Sequence, residues 1–384
     1  MFNFSKIPSP ALLAITMTSP YTVMADDTNQ QISQLSQQVS ELQQQVNLLA
    51  DHTNTPATQT QVGGYGELHY NNLTTRQNGT TLSEKKELDF HRFVLFINHQ
   101  FDEKVRFFSE LELEHSIAGE GQKGEVELEQ AYIEMDLTPQ TRLKAGILLQ
   151  PIGILNETHE PNTFYGVERN PVEKNLIPAT WWSGGIALSH QIGQTGKVDF
   201  LIGEGLKTSD GYSIRKGRQK TAKANANDLS YTVRLQFNPN PGFNIGGSVH
   251  YESNIAQSTL PNASDAMLLE GHLQYQKNQL GLKALYAQWQ IQGSVAKNAH
   301  ANRQIGFYIE PSYLVTEKIG LFTRYNQWNN STTSDLEDTQ VNIGINYWPH
   351  PNVVFKADYQ WLNDGRVGSD KETNGFNLAV GYQF

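Results

Sequence analysis

Gly375-Phe376-Asn377-Leu378-Ala379-Val380-Gly381-Tyr382-Gln383-Phe384 is the stretch whose reading decides the fold. Phe376, Leu378, Val380, Tyr382 and Phe384 occupy every second position, with small or polar residues between them. Alternate side chains of a β-strand face opposite sides, so this strand carries one apolar face and one polar face. A chain that repeats such strands and ends on one predicts a β-barrel with lipid outside.

The same alternation recurs upstream. Leu229, Tyr231, Val233, Leu235 and Phe237 alternate with Ser230, Thr232, Arg234 and Gln236. Val353, Phe355, Ala357, Tyr359 and Trp361 alternate with Lys356, Asp358 and Gln360, and Val341, Ile343, Ile345 and Tyr347 with Asn342, Gly344 and Asn346. An Arg on the lipid face costs about 2–4 kcal/mol at mid-bilayer, so the polar set is expected to face inward. Charged inward positions favour a wet pore over a packed plug. Trp289, Trp328, Trp348 and Trp361 fall near strand ends, where interfacial aromatic girdles are expected.

Strands are expected at 61–71, 87–101, 104–115, 125–137, 140–149, 183–191, 197–205, 229–237, 243–253, 267–276, 280–291, 304–314, 319–328, 339–348, 353–362 and 374–384. The prediction is an all-β fold, a transmembrane antiparallel barrel of about sixteen strands. Seven short connections alternate with eight longer, more polar ones. Hairpins joined this way put all short turns at one end, the periplasmic end in outer-membrane barrels, and both termini with them.

Composition agrees. The 384 residues include no Cys, 16 Tyr, 17 Phe and 31 Gly, with a mean hydropathy of −0.51. No segment supplies the roughly 20 consecutive apolar residues of a membrane-spanning helix. A formal net charge of −10 argues against nucleic acid. Without thiols, disulfides and Cys-based metal sites are excluded. Residues 1–25 read as an export signal, with Lys6, an apolar run from Ala11 to Met17 and a small-residue end at Val23-Met24-Ala25. Ile32, Leu35, Val39, Leu42, Val46 and Leu49 are spaced 3, 4, 3, 4, 3, which predicts an N-terminal coiled-coil helix over 26–51, and the seam rule favours two strands. Residues 52–60 read as a linker and 61–384 as the barrel.

Residues 150–182 form the longest loop, the third long connection, and length alone makes it a functional candidate. It runs through Ile152, Ile154, Leu155, Phe164, Val167, Leu176 and Ile177 to Trp181-Trp182, so it is expected to pack inside the barrel.

Gly64-Tyr65-Gly66-Glu67-Leu68-His69-Tyr70, Asp89-Phe90-His91-Arg92-Phe93, Phe107-Phe108-Ser109-Glu110-Leu111-Glu112-Leu113-Glu114-His115, and His159-Glu160-Pro161 through Glu168-Arg169 resemble the phosphate-selective porin O/P-like family of outer-membrane porins. The resemblance covers nearly all of 61–384. The closing residues, Tyr382 and Phe384 above all, resemble the C-terminal signal read by the barrel assembly machinery. It implies a homotrimer in the outer membrane of a Gram-negative bacterium, against lipid and lipopolysaccharide, overriding the seam rule. It also implies passive diffusion of small hydrophilic, including anionic, solutes without a cofactor. In such porins the third loop narrows the channel, acidic loop groups facing basic wall groups. Matching loop positions are Glu157, His159, Glu160, Glu168, Arg169, Glu173 and Lys174. Wall positions are Arg92, Arg106, Arg142, Lys144, Arg234, Arg324 and Lys356, with Glu110 and Glu112 making the wall mixed in sign. The lysine cluster of phosphate-selective members is missing from this loop, which offers only Lys174.

Lys207, Arg215, Lys216, Arg218, Lys220 and Lys223 form a basic run in loop 206–228, expected outside at the mouth. His91, His99, His115, His159, His250 and His272 lack metal-ligand spacing and read as polar wall residues. No catalytic constellation is legible, since a barrel lipase or protease needs a nucleophile with a partnered His. The other alternative is a structural tether between membrane and cell wall.

Overall fold

Period-two alternation closes into a ring. The computed structural model describes residues 59–119, 121, 123–208, 212–258, 264–330, 337–365 and 370–384. The export signal and the coiled coil lie outside the described residues. Sixteen antiparallel strands follow in chain order: β1 Gln59–Gln77, β2 Thr80–Gln100, β3 Val105–Glu114, β4 Val126–Thr138, β5 Thr141–Leu149, β6 Trp182–Ile192, β7 Gly196–Glu204, β8 Leu229–Asn240, β9 Phe243–Glu252, β10 Ala266–Lys277, β11 Leu280–Ile291, β12 Arg303–Thr316, β13 Ile319–Asn329, β14 Asp338–His350, β15 Val353–Asp364 and β16 Lys371–Gln383. Each pairs with its sequence neighbours, and β1 pairs with β16 from Tyr65–Gln383 to Gln77–Lys371, which leaves no free edge. β1 begins at Gln59, two residues inside the segment read as linker.

The C-terminal strand behaves as its alternation requires. Phe376 and Leu378 are exposed on the outside while Asn377 is buried within. Phe384 exchanges backbone hydrogen bonds with Gly64 at 2.9 and 3.0 Å, and its ring lies 6.0 Å from that of Phe93, so the last residue seals the seam. Gly375 lies on that seam with φ +157°, and an added Cβ would collide with the Asn72 carbonyl oxygen. Gly375→Val should therefore cost about 1–3 kcal/mol through overpacking. The expected readout is a lower yield of refolded barrel, followed by circular dichroism in detergent.

Three sequence expectations need correction. Residues 72–86 are not a loop: β1 and β2 continue to a two-residue turn at Asn78-Gly79, both with positive φ (+49° and +76°). That is the conformation Asn-Gly favours in tight hairpins. The distal part of β2 is exposed on both faces, so no alternation marked it as strand. Second, Trp289 and Trp328 do not belong to an outer girdle. Both are buried inside, and Trp348 shares the inward face, its ring 5.7 Å from that of Tyr165 in the third long loop. Only Trp361 of the four is exposed outside. Third, the inner wall is not uniformly polar. Leu268, Leu285, Ala287, Trp289 and Tyr308 face inward on β10–β12 and join a core with Ile152, Ile154, Val172, Leu176, Ile177 and Trp181 of the third loop. Leu206, Tyr212, Ile214 and Ile255 from two neighbouring loops complete it. Apolar loop residues need dry partners, and this quadrant of the wall provides them.

Candidate functional site: the third loop and the charged inner wall

The third loop, residues 150–181, is folded inside the barrel and reaches its short-turn end. Asn156 ties its two ends together: Nδ2 donates to the Gln150 and Trp181 carbonyls at 2.8 and 2.9 Å, and Oδ1 accepts from Trp181 N at 2.6 Å. The chain then descends. Asn162 Nδ2 donates to the carbonyl of Pro351, in the β14–β15 turn, at 2.9 Å, and Lys283 Nζ donates to Thr163 O at 2.9 Å. Tyr165 stacks on Phe322 at 5.3 Å. The return leg ends in a short helix, α1 Pro171–Asn175, capped by Asn170 Oδ1 accepting from Glu173 N at 2.8 Å.

Most predicted site residues anchor this loop. Lys356 Nζ donates to the Phe164 and Gly166 carbonyls at 3.0 and 2.9 Å and lies 3.6 Å from the Phe164 ring centre. Arg324 pairs with Glu310 at 3.2 Å and reaches the Tyr165 and Glu168 carbonyls. Arg234 holds Asp199 at 2.7 Å and also binds Glu157. Asp358 accepts from Val167 N at 2.7 Å. His159 lies between Glu110 and Glu129 at 3.2 and 3.5 Å. Glu168 meets His69 at 3.3 Å and Asn71 at 3.2 Å. Glu173 faces the loop's own core. It accepts from Ile154 N and Leu155 N at 2.9 and 2.6 Å and from Tyr308 Oη at 2.8 Å. Asp199, Asp358, Glu129 and Asn156 were not picked out from the sequence, because the partners Arg234, Val167, His159 and Trp181 lie tens of residues away.

The remaining wall residues pair with one another. Arg106 grips Glu134 and, at 2.9 and 2.8 Å, Asp136. Arg142 adds a contact to Asp136 at 3.3 Å, and Lys144 one to Glu134 at 3.3 Å. Arg92 bridges Glu67 at 2.7 Å and Glu112 at 3.5 Å. Of the basic run in 206–228, Arg215 and Arg218 turn inward rather than standing outside. Arg215 donates to the Lys174 and Ala179 carbonyls at 3.0 and 2.8 Å, and Arg218 donates to Thr180 O and lies over the Trp182 ring. Lys220 binds Glu125 and Glu127 of the wall.

Two groups of like charge follow. Arg169, Lys174, Arg215 and Arg218 lie within electrostatic reach of one another, and among the described residues none has a carboxylate ion-pair partner. Arg169 Nε and Nη2 have no hydrogen-bond partner among those residues, although both atoms are buried. Enclosure, then Arg218 and Arg169, pulls the Arg215 guanidinium down to about 9. Facing them are Glu112, Glu114 and Glu129 on β3 and β4. Lys174 is exposed although the barrel encloses it, so it borders water rather than protein. At this face the basic groups sit on loops and the acidic groups on the wall, whereas Glu157 of the loop meets Arg234 of the wall in the expected sense.

The loop's anchors set a pH dependence. Burial alone would lower the His159 imidazole, but Glu110 and Glu129 raise it to about 10. A raised histidine stabilises fully below its unfolded value of about 6.5 and loses that contribution as pH climbs toward 10. Loop three should therefore loosen over that alkaline window, seen as faster protease nicking within 150–181. His159→Gln should remove the dependence. Glu168 acts at the opposite limit. Burial raises its carboxyl, but His69 outweighs burial and holds it well below the usual range, so this anchor fails only in strong acid.

A family model, phosphate-selective porin O and P, matches residues 62–384. The chain belongs to this porin family. It is an outer-membrane channel protein of the Gram-negative envelope. The porin is 30% identical over 343 residues to an uncharacterized protein of Aquifex aeolicus (strain VF5), covering 78% of this chain and 74% of that one. Its fold resembles an anion-selective porin from Comamonas acidovorans, with a TM-score of 0.61 at 10% identity over 85% of this chain and 100% of the other. The outer-membrane channel DcaP of Acinetobacter baumannii gives 0.59 at 11% identity, covering 87% and 100%. An outer-membrane protein of Vibrio cholerae, OmpT in trimer form, gives 0.55 at 11%, covering 86% and 100%.

Proposed function

We propose that this porin passes small hydrophilic anions through a water-filled passage between loop three and the β1–β4 wall. The passage is bounded by Arg169, Lys174, Arg215 and Arg218 on one side and by the wall at Glu114 on the other, with Glu112 and Glu129 buried behind that wall. The single observation that carries the reading is that, among the described residues, none of those four cations has a carboxylate ion-pair partner, set against wall carboxylates that mostly have partners: Glu112 has Arg92, Glu110 and Glu129 have His159, and Glu125 and Glu127 have Lys220. Unpaired fixed cations lower the barrier for anions and raise it for cations. The family's phosphate-selective members and the anion-selective Comamonas porin support the same sign.

Glu157, Glu160, Glu168 and Glu173 act as anchors or buried groups in this reading, and Arg169 and Lys174 are the loop's solute-facing charges. Arg234, Arg324 and Lys356 hold the loop, while Arg106, Arg142 and Lys144 stiffen the wall. The short turns and the end of β16 lie on the periplasmic side, and export depends on residues 1–25. Three copies associate, supported by the trimer of the Vibrio protein. The outward apolar face meets lipid and lipopolysaccharide, and the Tyr382–Phe384 end serves barrel assembly.

Reconstitution in planar bilayers tests this. Purified porin in a KCl gradient should give ohmic steps with a reversal potential of anion-preferring sign, and added inorganic phosphate should reduce the chloride current. Absence of conductance, or a cation-preferring potential, contradicts the reading.

A further inference from the structure

We propose that Asp89, His91 and His115 form a binding site for one divalent transition-metal ion on the inner wall, at the long-loop end of the barrel. Asp89 and His91 lie two residues apart on β2 and His115 lies 26 residues from Asp89, so the fold brings the third ligand to the other two. Asp89 is the cross-strand partner of His69, and both face inward. His91 is the extra residue of a bulge: Glu67 pairs with Arg92 and Leu68 with Phe90, leaving His91 unpaired and re-aimed. His115 follows β3 in a turn where it, Ser116 and Ile117 all have positive φ (+48°, +56° and +38°). Such strained backbone in three consecutive non-glycine residues persists where the surroundings dictate it. The outcome is that both imidazoles point at one carboxylate.

The distances suit an ion. His91 Nδ1 lies 3.0 Å from Asp89 Oδ2, and His115 Nδ1 lies 2.9 Å from the same oxygen. One ligand atom from each of the three residues falls within 4.8 Å of the others. Two donors bound to Zn²⁺ at about 2.1 Å stand roughly 3.0–3.4 Å apart for angles between 90° and tetrahedral. A cation replacing the shared protons would need little movement. All three side chains are part-exposed, at 17%, 26% and 34% for Asp89, His91 and His115, so an ion has a path in and free positions for water. His69 stacks on His91 at 4.6 Å between ring centres and, with Glu168, fixes the ring's other face. Two imidazoles and one carboxylate suit Zn²⁺, Ni²⁺ or Cu²⁺ rather than Mg²⁺ or Ca²⁺. Glu67 and Glu168, both in contact with His69, add negative potential, which Arg92 beside Glu67 partly offsets.

A bound dication at this position would add fixed positive charge to the acidic side of the passage. The proposal stands apart from the channel's ion preference, because its primary readout is binding. Full-length porin in detergent, stripped with a chelator, is titrated calorimetrically with ZnCl₂ and separately with MgCl₂. We expect one Zn²⁺ per chain and no Mg²⁺ heat. His91→Ala with His115→Ala should abolish that binding, and Asp89→Asn should weaken it by about tenfold or more. Circular dichroism verifies that each variant keeps the barrel, and His99→Ala is the control that leaves the binding intact. No Zn²⁺ binding by the parent protein overturns the proposal. So does unchanged stoichiometry and affinity in the folded double variant, which would place the ion elsewhere, for example between Glu110, Glu129 and His159.

Discussion

Replacing Arg169 and Lys174 together by glutamate should convert the channel from anion-preferring to cation-preferring. Each replacement exchanges a fixed cation for a fixed anion on loop three. Neither side chain holds the fold: Arg169 makes one side-chain hydrogen bond, to Thr180 Oγ1 at 3.1 Å, and Lys174 has no carboxylate partner among the described residues. The acidic wall opposite then meets acidic loop groups, and the remaining Arg215 and Arg218 are outnumbered. The reversal potential in a KCl gradient should change sign, and its size should shrink at high salt as screening grows. A control at Arg142, exposed and ion-paired with Asp136, should leave the sign unchanged.

The second large effect concerns Glu173. Glu173→Ala removes the acceptor for Ile154 N, Leu155 N and Tyr308 Oη at one stroke. Each buried donor left without a partner costs about 1–3 kcal/mol. That sum is large enough to release loop three from the β10–β12 wall. The barrel itself should survive, because its strand ladder closes without the loop. The expected phenotype is a folded, heat-resistant barrel with larger, noisier conductance steps and rapid protease cleavage within 150–181. Glu173→Gln keeps an acceptor oxygen and should show a much weaker version. Equal conductance and equal protease resistance in Glu173→Ala would mean that the loop's position does not depend on this carboxylate.

The barrel was legible because lipid imposes a one-bit code on every strand. Phe376, Leu378 and Val233, Leu235 read as outside residues, and they are. The code fails where its physical premise fails. Residues 80–88 of β2 are wet on both faces, so the strand left no alternation and only the Asn78-Gly79 pair marked the hairpin. Trp289 and Trp328 follow the correct period, but the apolar loop made the inside of that quadrant dry, so they turned inward. Loop three was legible by length and apolar content. Its electrostatics were not. Lys356, Arg324 and Arg234 looked like free wall cations, yet each is committed to a partner more than 70 residues away in chain order. Arg215 and Arg218 looked external because a loop's direction is not written in its charge. The histidine cluster was hidden for a related reason: a bulge and a left-handed turn bring His91 and His115 to Asp89, and neither has a spacing rule.

The absence of cysteine from the chain allows a direct test of the passage itself. Lys174→Cys introduces a single thiol at the exposed position inside the barrel. With the variant conducting in a planar bilayer, an anionic, membrane-impermeant thiol reagent is added to the bath. Our reading predicts rapid modification and a stepwise fall in anion current, reversed by reductant. A conducting channel whose current ignores the reagent, with the thiol still free on later assay, would contradict it, because ions would then be passing somewhere other than beside loop three.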